Sequence, residues 1–115
     1  MTQFFTNLRL LDPQAGTLEP AAVLVRNGVI AEVLASDATT PDGAEVMDCS
    51  GHILAPGIVD IGVKVREPGE RHKESYRSAG LAAAAGGVTT MVTRPDTDPA
   101  IDSPEPLDFV TPRAN

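Results

Sequence analysis

The sequence has no tryptophan, a single cysteine and few cationic residues, and each shortage excludes something. Cys49 has no second cysteine to pair with, so no disulfide can form within the chain, as suits a reducing compartment such as the cytoplasm. Nine lysine and arginine residues face 16 aspartate and glutamate residues, which gives a formal net charge of −7. Because phosphate binding requires clustered cations, nucleic acid is not an expected partner.

Long apolar segments are also missing. No run approaches the roughly 20 apolar residues that a membrane helix needs. Residues 1–7 lack the basic start and apolar stretch of a secretory signal. We therefore expect a cytoplasmic protein with no membrane partner. Aromatic residues make up only 3% of the chain, so its core must consist of Val, Ile, Leu and Ala.

Residues 1–55 carry strand and turn signals and few helix signals. Asn27-Gly28 lies between two apolar runs and tolerates positive φ at both positions, as a type I′ hairpin turn requires. The predicted strands are 4–11, 21–26, 29–34 and 45–48. This half of the chain therefore predicts a small β-rich domain.

The pattern changes after Pro56-Gly57. Residues 58–65 are mostly apolar, which predicts a strand buried on both faces. Helix formers prevail from about 73 to 85, and a second buried strand is predicted at 88–93. This strand–helix–strand order is typical of a right-handed βαβ unit with parallel strands. Ser103 followed by a proline predicts one more short helix, over 104–110.

One stretch of the second half resembles a known family. Asp60 and the Arg-Glu-Pro-Gly run at 66–69 match the first barrel strand of dihydroorotases, which reads Asp-x-His-x-His-x-Arg-Glu-Pro-Gly. Gly62 and Lys64 stand at the two histidine positions. Three further motifs resemble the same family in the same order: Gly-His-Ile-Leu-Ala-Pro-Gly at 51–57, Gly-Gly-Val-Thr-Thr at 86–90 and Arg-Pro-Asp-Thr-Asp-Pro at 94–99. Allantoinases and hydantoinases are the near alternatives.

The resemblance implies a mixed α/β fold. A small β-sandwich-like domain over 1–55 would precede the first β-α-β of a TIM-type (β/α)₈ hydrolase barrel over 56–115. Since such a barrel takes roughly 250 residues, it would be incomplete here, and we expect a fragment or a chain that docks on another molecule. The family reaction is the reversible closure of N-carbamoyl-aspartate to dihydroorotate in pyrimidine biosynthesis, which uses zinc.

The departures from the family pattern concern its metal site. Gly62 has no side chain with which to bind zinc. The ammonium of Lys64, about 4 Å from a divalent cation at an effective dielectric near 20, would cost on the order of 8 kcal/mol. Lysine binds a metal only when deprotonated or through a carbamate. We therefore expect no metal cofactor in this chain and assign no catalytic residue.

The family pattern also assigns two substrate-binding positions. Arg66 and Asp96 match an arginine and an asparagine that hold the substrate carboxylate in relatives, but an anion at Asp96 repels a carboxylate. An ion pair between Arg66 and Glu67 is favoured over substrate binding. We predict that Lys64 pairs with Asp60 or Asp96 and fills the vacant metal position. The alternative is that Lys64 extends into solvent.

Three other residues with potentially reactive side chains are not assigned to a site. His52 and His72 are predicted to be surface or structural, with His72 opening the first helix, because zinc needs three or four convergent ligands. Cys49 is expected to be a buried, small apolar residue.

Three functions remain open. The preferred one is a catalytically silent dihydroorotase homologue that acts as a scaffold. Its partner would be aspartate transcarbamoylase, or a second copy of itself through self-association. The second is an active amidohydrolase whose metal is held by ligands beyond residue 115. The third is a free-standing β-rich binding module. The sequence by itself is therefore compatible with both an enzyme and a non-enzyme.

Overall fold

The computed structural model describes residues 1–114, which form two compact units divided after Pro56. The fold is mixed α/β and mostly strand, as the sequence predicted. The strands are β1 Thr2–Asp12, β2 Thr17–Arg26, β3 Val29–Ala35, β4 Glu45–Asp48, β5 Ile53–Leu54, β6 Ile58–Val63 and β7 Val88–Thr93. The helices are α1 Tyr76–Ala85 and α2 Pro104–Ala114. Within residues 1–114, no helix has the length and apolarity needed to cross a membrane.

The first unit is a five-stranded sheet in the order β3-β2-β1-β4, with β5 also paired to β1. The β1–β2 and β2–β3 pairs are antiparallel, whereas β4 and β5 run parallel to β1. Strand β2 is buried at four consecutive residues, 21–24, because apolar side chains pack on both of its faces. The sequence pattern located β1 to β4, although β2 begins at Thr17 and not at 21, and it predicted neither β5 nor the parallel pairings.

The Asn27-Gly28 turn forms as predicted. Both residues have positive φ, 52° and 79°, and Arg26 pairs directly with Val29 across the two-residue loop. The backbone N–H of Asn27 also donates to the carbonyl oxygen of Met1 at 2.9 Å, which fixes the start of β1 beside the turn.

A bulge in β1 was not predicted. Asn7 adopts φ 58°, and the pairing of β1 with β2 shifts between Phe5 and Leu8. The Asn7 amide donates to a carboxylate oxygen of Asp48 at 3.0 Å. That oxygen also accepts the backbone N–H and the hydroxyl of Ser50. These hydrogen bonds, from Asn7 first and then Ser50, hold the pKa of Asp48 below its ordinary value.

The second unit contains the predicted βαβ arrangement, with β6 and β7 parallel and α1 between them in sequence. Helix α1 begins at Tyr76 instead of about 73, because Ser75 caps it. The Ser75 side chain accepts from the N–H of Ser78, while the Ser78 side chain accepts from the N–H of Ser75. Helix α2 runs past the predicted end at 110 to Ala114, and a contact of Arg113 described below supports its last turn.

The prediction that both of these strands are buried is wrong for the described residues. In β7 no residue is buried, and Val92 is 51% exposed. Ile58, Val59 and Ile61 of β6 are 56%, 57% and 79% exposed. The physical reason is that α1 packs on β7 and on α2, so neither helix covers β6. The core of the unit lies further along the chain, at Val65, Tyr76, Ala79 and Val110.

Candidate functional site

A small cavity lies where β6 and β7 end. Lys64 and Arg66 follow β6, Asp96 follows β7, and the two segments meet because the carboxyl ends of parallel strands lie at one edge of a sheet. The backbone N–H of Arg94 donates to the carbonyl oxygen of Val63 at 2.8 Å, which holds the segments together. The cavity has a volume of about 150 Å³, and all three predicted side chains line it.

An ion pair between Lys64 and Asp96 occupies this edge. The Lys64 Nζ lies 2.9 Å from the Asp96 Oδ2, and Arg94 Nη2 lies 3.3 Å from the same oxygen. The hydrogen bond from Lys64, together with the positive charge of Arg94, holds the pKa of Asp96 below its ordinary value. The prediction that Lys64 pairs with a carboxylate is confirmed, with Asp96 as the partner.

Asp60 and Gly62 take no part in this ion pair. A carboxylate oxygen of Asp60 accepts the backbone N–H of Gly62 at 3.1 Å, so Asp60 bonds to the backbone of its own strand. A Cβ added at Gly62 would meet no heavy atom within 4 Å. The position therefore has room for a side chain. A metal ligand is missing there because glycine has no side chain, and not because the space is filled.

These residues do not fit a zinc ion. Zinc is held by three or four converging nitrogen, sulfur or oxygen ligands. Gly62 supplies none, and the ammonium of Lys64 is a cation that already donates to Asp96. Among residues 1–114, no group of three or more His, Cys, Asp or Glu side chains comes together where it could hold a metal.

Arg66 pairs with Glu70 and not with Glu67, so the predicted pair of neighbours is wrong. Arg66 Nη1 lies 3.1 Å from Glu70 Oε2, and Lys73 also contacts the Glu70 carboxylate. The hydrogen bond from Lys73, with the charges of Lys73 and Arg66, holds the pKa of Glu70 below its ordinary value. The reason for the mismatch is that Glu67 turns into the interior of the unit while Arg66 stays at the surface.

Glu67 joins three segments of the second unit, and sequence reasoning missed this role. The residue is 3% exposed. Its Oε2 accepts the backbone N–H of Tyr76 at 3.1 Å, and its Oε1 lies 3.3 Å from the Nε atoms of Arg71 and Arg113. A signal was available, because the first turn of α1 has no acidic residue of its own and a carboxylate is favourable at a helix N-terminus.

The histidines and the cysteine carry no site. His52 is exposed, and its Nδ1 lies 3.1 Å from the carbonyl oxygen of Ser50. His72 is exposed in the turn before α1 and does not open the helix, because the helix begins at Tyr76. Cys49 is half-buried instead of fully buried, with its Sγ 3.7 Å from the carbonyl oxygen of Met47.

The chain is similar in sequence to known dihydroorotases. The sequence profile of the Dihydro-orotase-like family matches residues 51–115. The chain is 44% identical over 104 residues to a dihydroorotase of Streptococcus pneumoniae serotype 4, which covers 90% of this chain and 24% of that protein. It is 43% identical over 107 residues to a dihydroorotase of Anaplasma phagocytophilum, which covers 89% of this chain and 24% of that protein. The chain thus spans about a quarter of the length of these relatives.

Solved structures have the same fold. The L-hydantoinase (dihydropyrimidinase) of Arthrobacter aurescens matches 99% of this chain and 25% of its own, with a TM-score of 0.82 at 23% identity. A D-hydantoinase matches all of this chain and 25% of its own, with a TM-score of 0.80 at 27% identity. Both units of the chain are included in the match to the D-hydantoinase.

Proposed function

The chain belongs to the dihydro-orotase-like family, and from that premise we propose that it is a catalytically silent, cytoplasmic member that serves pyrimidine biosynthesis as a scaffold. In this proposal the barrel edge formed by β6 and β7 keeps the architecture of a hydrolase and has lost its chemistry. The proposal covers a stretch that corresponds to about a quarter of its relatives.

The observation that carries the proposal is the Lys64–Asp96 ion pair. A hydrolase of this kind needs a cation at this edge to polarise the substrate carbonyl. Here the cation is an ammonium that already donates to a carboxylate 2.9 Å away, with Arg94 on the same oxygen. We propose that this group replaces the metal at the position of the missing histidines, and that Gly62 and Lys64 are degenerate metal positions.

The same ion pair blocks the proposed substrate carboxylate position. Asp96 is an anion, so it repels a carboxylate where an amide would donate to it. Arg66, the second family position, is paired with Glu70 and would have to break that contact to bind substrate. Asp96 and Arg66 therefore both favour a protein without catalytic turnover.

A scaffold needs a partner, and aspartate transcarbamoylase is the proposed one, with self-association as the alternative. What supports an assembly role is the apolar surface of β6, where Ile58, Val59 and Ile61 are more than half exposed. Large exposed apolar surfaces are typical of interaction sites. The test is light scattering of the purified protein alone and mixed with aspartate transcarbamoylase from the same organism. A mixed particle of defined mass supports the role, and two unchanged masses contradict it.

The proposed absence of catalytic activity is tested separately, by an enzyme assay. We expect the protein that carries this chain to show no hydrolysis of dihydroorotate with or without added zinc. Zinc-dependent turnover would instead support the alternative, an active amidohydrolase with metal ligands beyond residue 115. The 44% identity to a dihydroorotase over 104 residues is what keeps that alternative in view.

A further inference from the structure

A second cavity of the second unit, which we call the arginine cleft, lies apart from the Lys64–Asp96 edge. It has a volume of about 550 Å³, within the usual range of small-molecule sites. Its wall includes Arg71, Arg77 and Arg113, with Glu67 and Tyr76 among the other lining residues. We propose that this cleft binds a small oxyanion, the phosphoryl or carboxylate group of a metabolite.

The cleft is positively charged, whereas the chain as a whole is negatively charged. Three guanidinium groups line it against one carboxylate, Glu67, so its lining side chains have a formal excess of two positive charges. The whole chain has a net charge of −7 and only nine cationic residues. Placing a third of these cations around one cavity creates a local positive potential, which attracts anions.

Glu67 orients two of the three arginines. It contacts the Nε atoms of Arg71 and Arg113, at 3.3 Å in each case, and both contacts are to the same carboxylate oxygen. Arg71 contacts Glu67 through Nε, which leaves both of its terminal nitrogens for a second acceptor, and arginine binds phosphate and carboxylate with such paired nitrogens. Arg113 has only Nη2 left for a ligand, because its Nη1 donates to the carbonyl oxygen of Phe109 at 2.5 Å. The Arg71 side chain is 76% exposed, so its outer nitrogens can reach a ligand.

Arg77 and Tyr76 bring donors that the described residues do not use. Within residues 1–114, Arg77 forms no ion pair and the hydroxyl of Tyr76 has no hydrogen-bond partner. Tyr76 is only 6% exposed, yet none of the fully buried side-chain polar atoms in that range lacks a partner, so the hydroxyl oxygen is itself accessible to solvent. Tyr76 lines both the arginine cleft and an apolar hollow beside β7, and of these two the arginine cleft is the one with charged side chains in its wall.

The experiment is an NMR titration of the ¹⁵N-labelled chain at constant ionic strength, with inorganic phosphate in one arm and succinate in the other. We expect saturable shifts of the amides of 71, 76, 77 and 113, with a Kd on the order of 1 mM in at least one arm. Saturation by phosphate alone identifies a phosphoryl site, and saturation by succinate alone identifies a carboxylate site. No saturation in either arm would overturn the proposal.

Two variants separate a site from general charge attraction. Arg77→Gln removes a cation that does not contact Glu67, and it should weaken binding about tenfold. Tyr76→Phe keeps the core ring and should weaken it about threefold or more. Arg26→Gln removes an exposed arginine at the end of β2 and should change nothing. Equal weakening by Arg77→Gln and Arg26→Gln, or none from Arg77→Gln, would contradict the proposal, whose failure leaves the silent-scaffold function untouched.

Discussion

Replacing Glu67 by glutamine should destabilise the second unit selectively. Glu67 is 3% exposed and its carboxylate accepts the Tyr76 N–H at 3.1 Å, so this hydrogen bond lies in the interior. Its two arginine partners, at 3.3 Å, are 76% and 41% exposed, so solvent screens most of their charge. The amide keeps the shape but loses charge-assisted bonding and turns an NH₂ group toward donors.

The expected cost is about 2 kcal/mol of unfolding free energy for Glu67→Gln, the usual worth of a hydrogen bond to a charged group. Glu67→Ala removes the buried side chain as well and should cost about 3–5 kcal/mol. Glu74→Gln is the matched control. It lies in the turn before α1, forms no ion pair within residues 1–114, and should change stability by less than about 0.5 kcal/mol.

The assay follows Tyr76 fluorescence in a urea titration. Tyr76 is the only tyrosine, there is no tryptophan, and the residue lies in the core of the second unit. The signal therefore reports this unit alone, even if the two units unfold separately. A Glu67→Gln midpoint equal to that of the Glu74→Gln control would refute the view that Glu67 organises the unit.

Two further predictions concern a glycine and a pH dependence. Gly69→Ala should cost the second unit about 2 kcal/mol or more by the same fluorescence assay, because φ is +97° and the new Cβ would lie 2.1 Å from the carbonyl oxygen of Asp98; Gly62→Ala, in open space, should be nearly neutral, and equal effects would contradict this. In the first unit, the lowered pKa of Asp48 stabilises the fold above the ordinary aspartate pKa, and this contribution is lost as pH falls through the folded-state pKa. Hydrogen exchange of β1 at falling pH should show a smaller acid loss in Asn7→Gly, and an unchanged pH profile would count against it.

The local structure was largely predictable from the sequence. Apolar alternation located the strands, Asn27-Gly28 set the hairpin, and the order of elements indicated the parallel pair β6–β7. Those features depend on residues close in sequence. The pairing of β4 with β1 joins residues about 40 apart and has no counterpart in local periodicity.

The site was predictable from the sequence only where a charged side chain had few possible partners nearby. Lys64 follows a strand whose neighbour ends near Asp96, so their pairing could be expected from the βαβ topology. Glu67 was missed because its three partners come from a loop and two helices, which only the packed unit brings together. The bulge at Asn7 was missed because its hydrogen bond to Asp48 is likewise non-local.

The central claim is that the Lys64–Asp96 pair stands where relatives hold a metal, and zinc calorimetry tests it most directly. Titration of the unmodified chain with zinc should give no saturable binding that depends on residue 64, so Lys64→Gln should leave the isotherm unchanged. The variant Gly62→His with Lys64→His should gain measurable affinity, since Gly62 has open space around it. Stoichiometric zinc binding by the unmodified chain that Lys64→Gln abolishes would contradict the account.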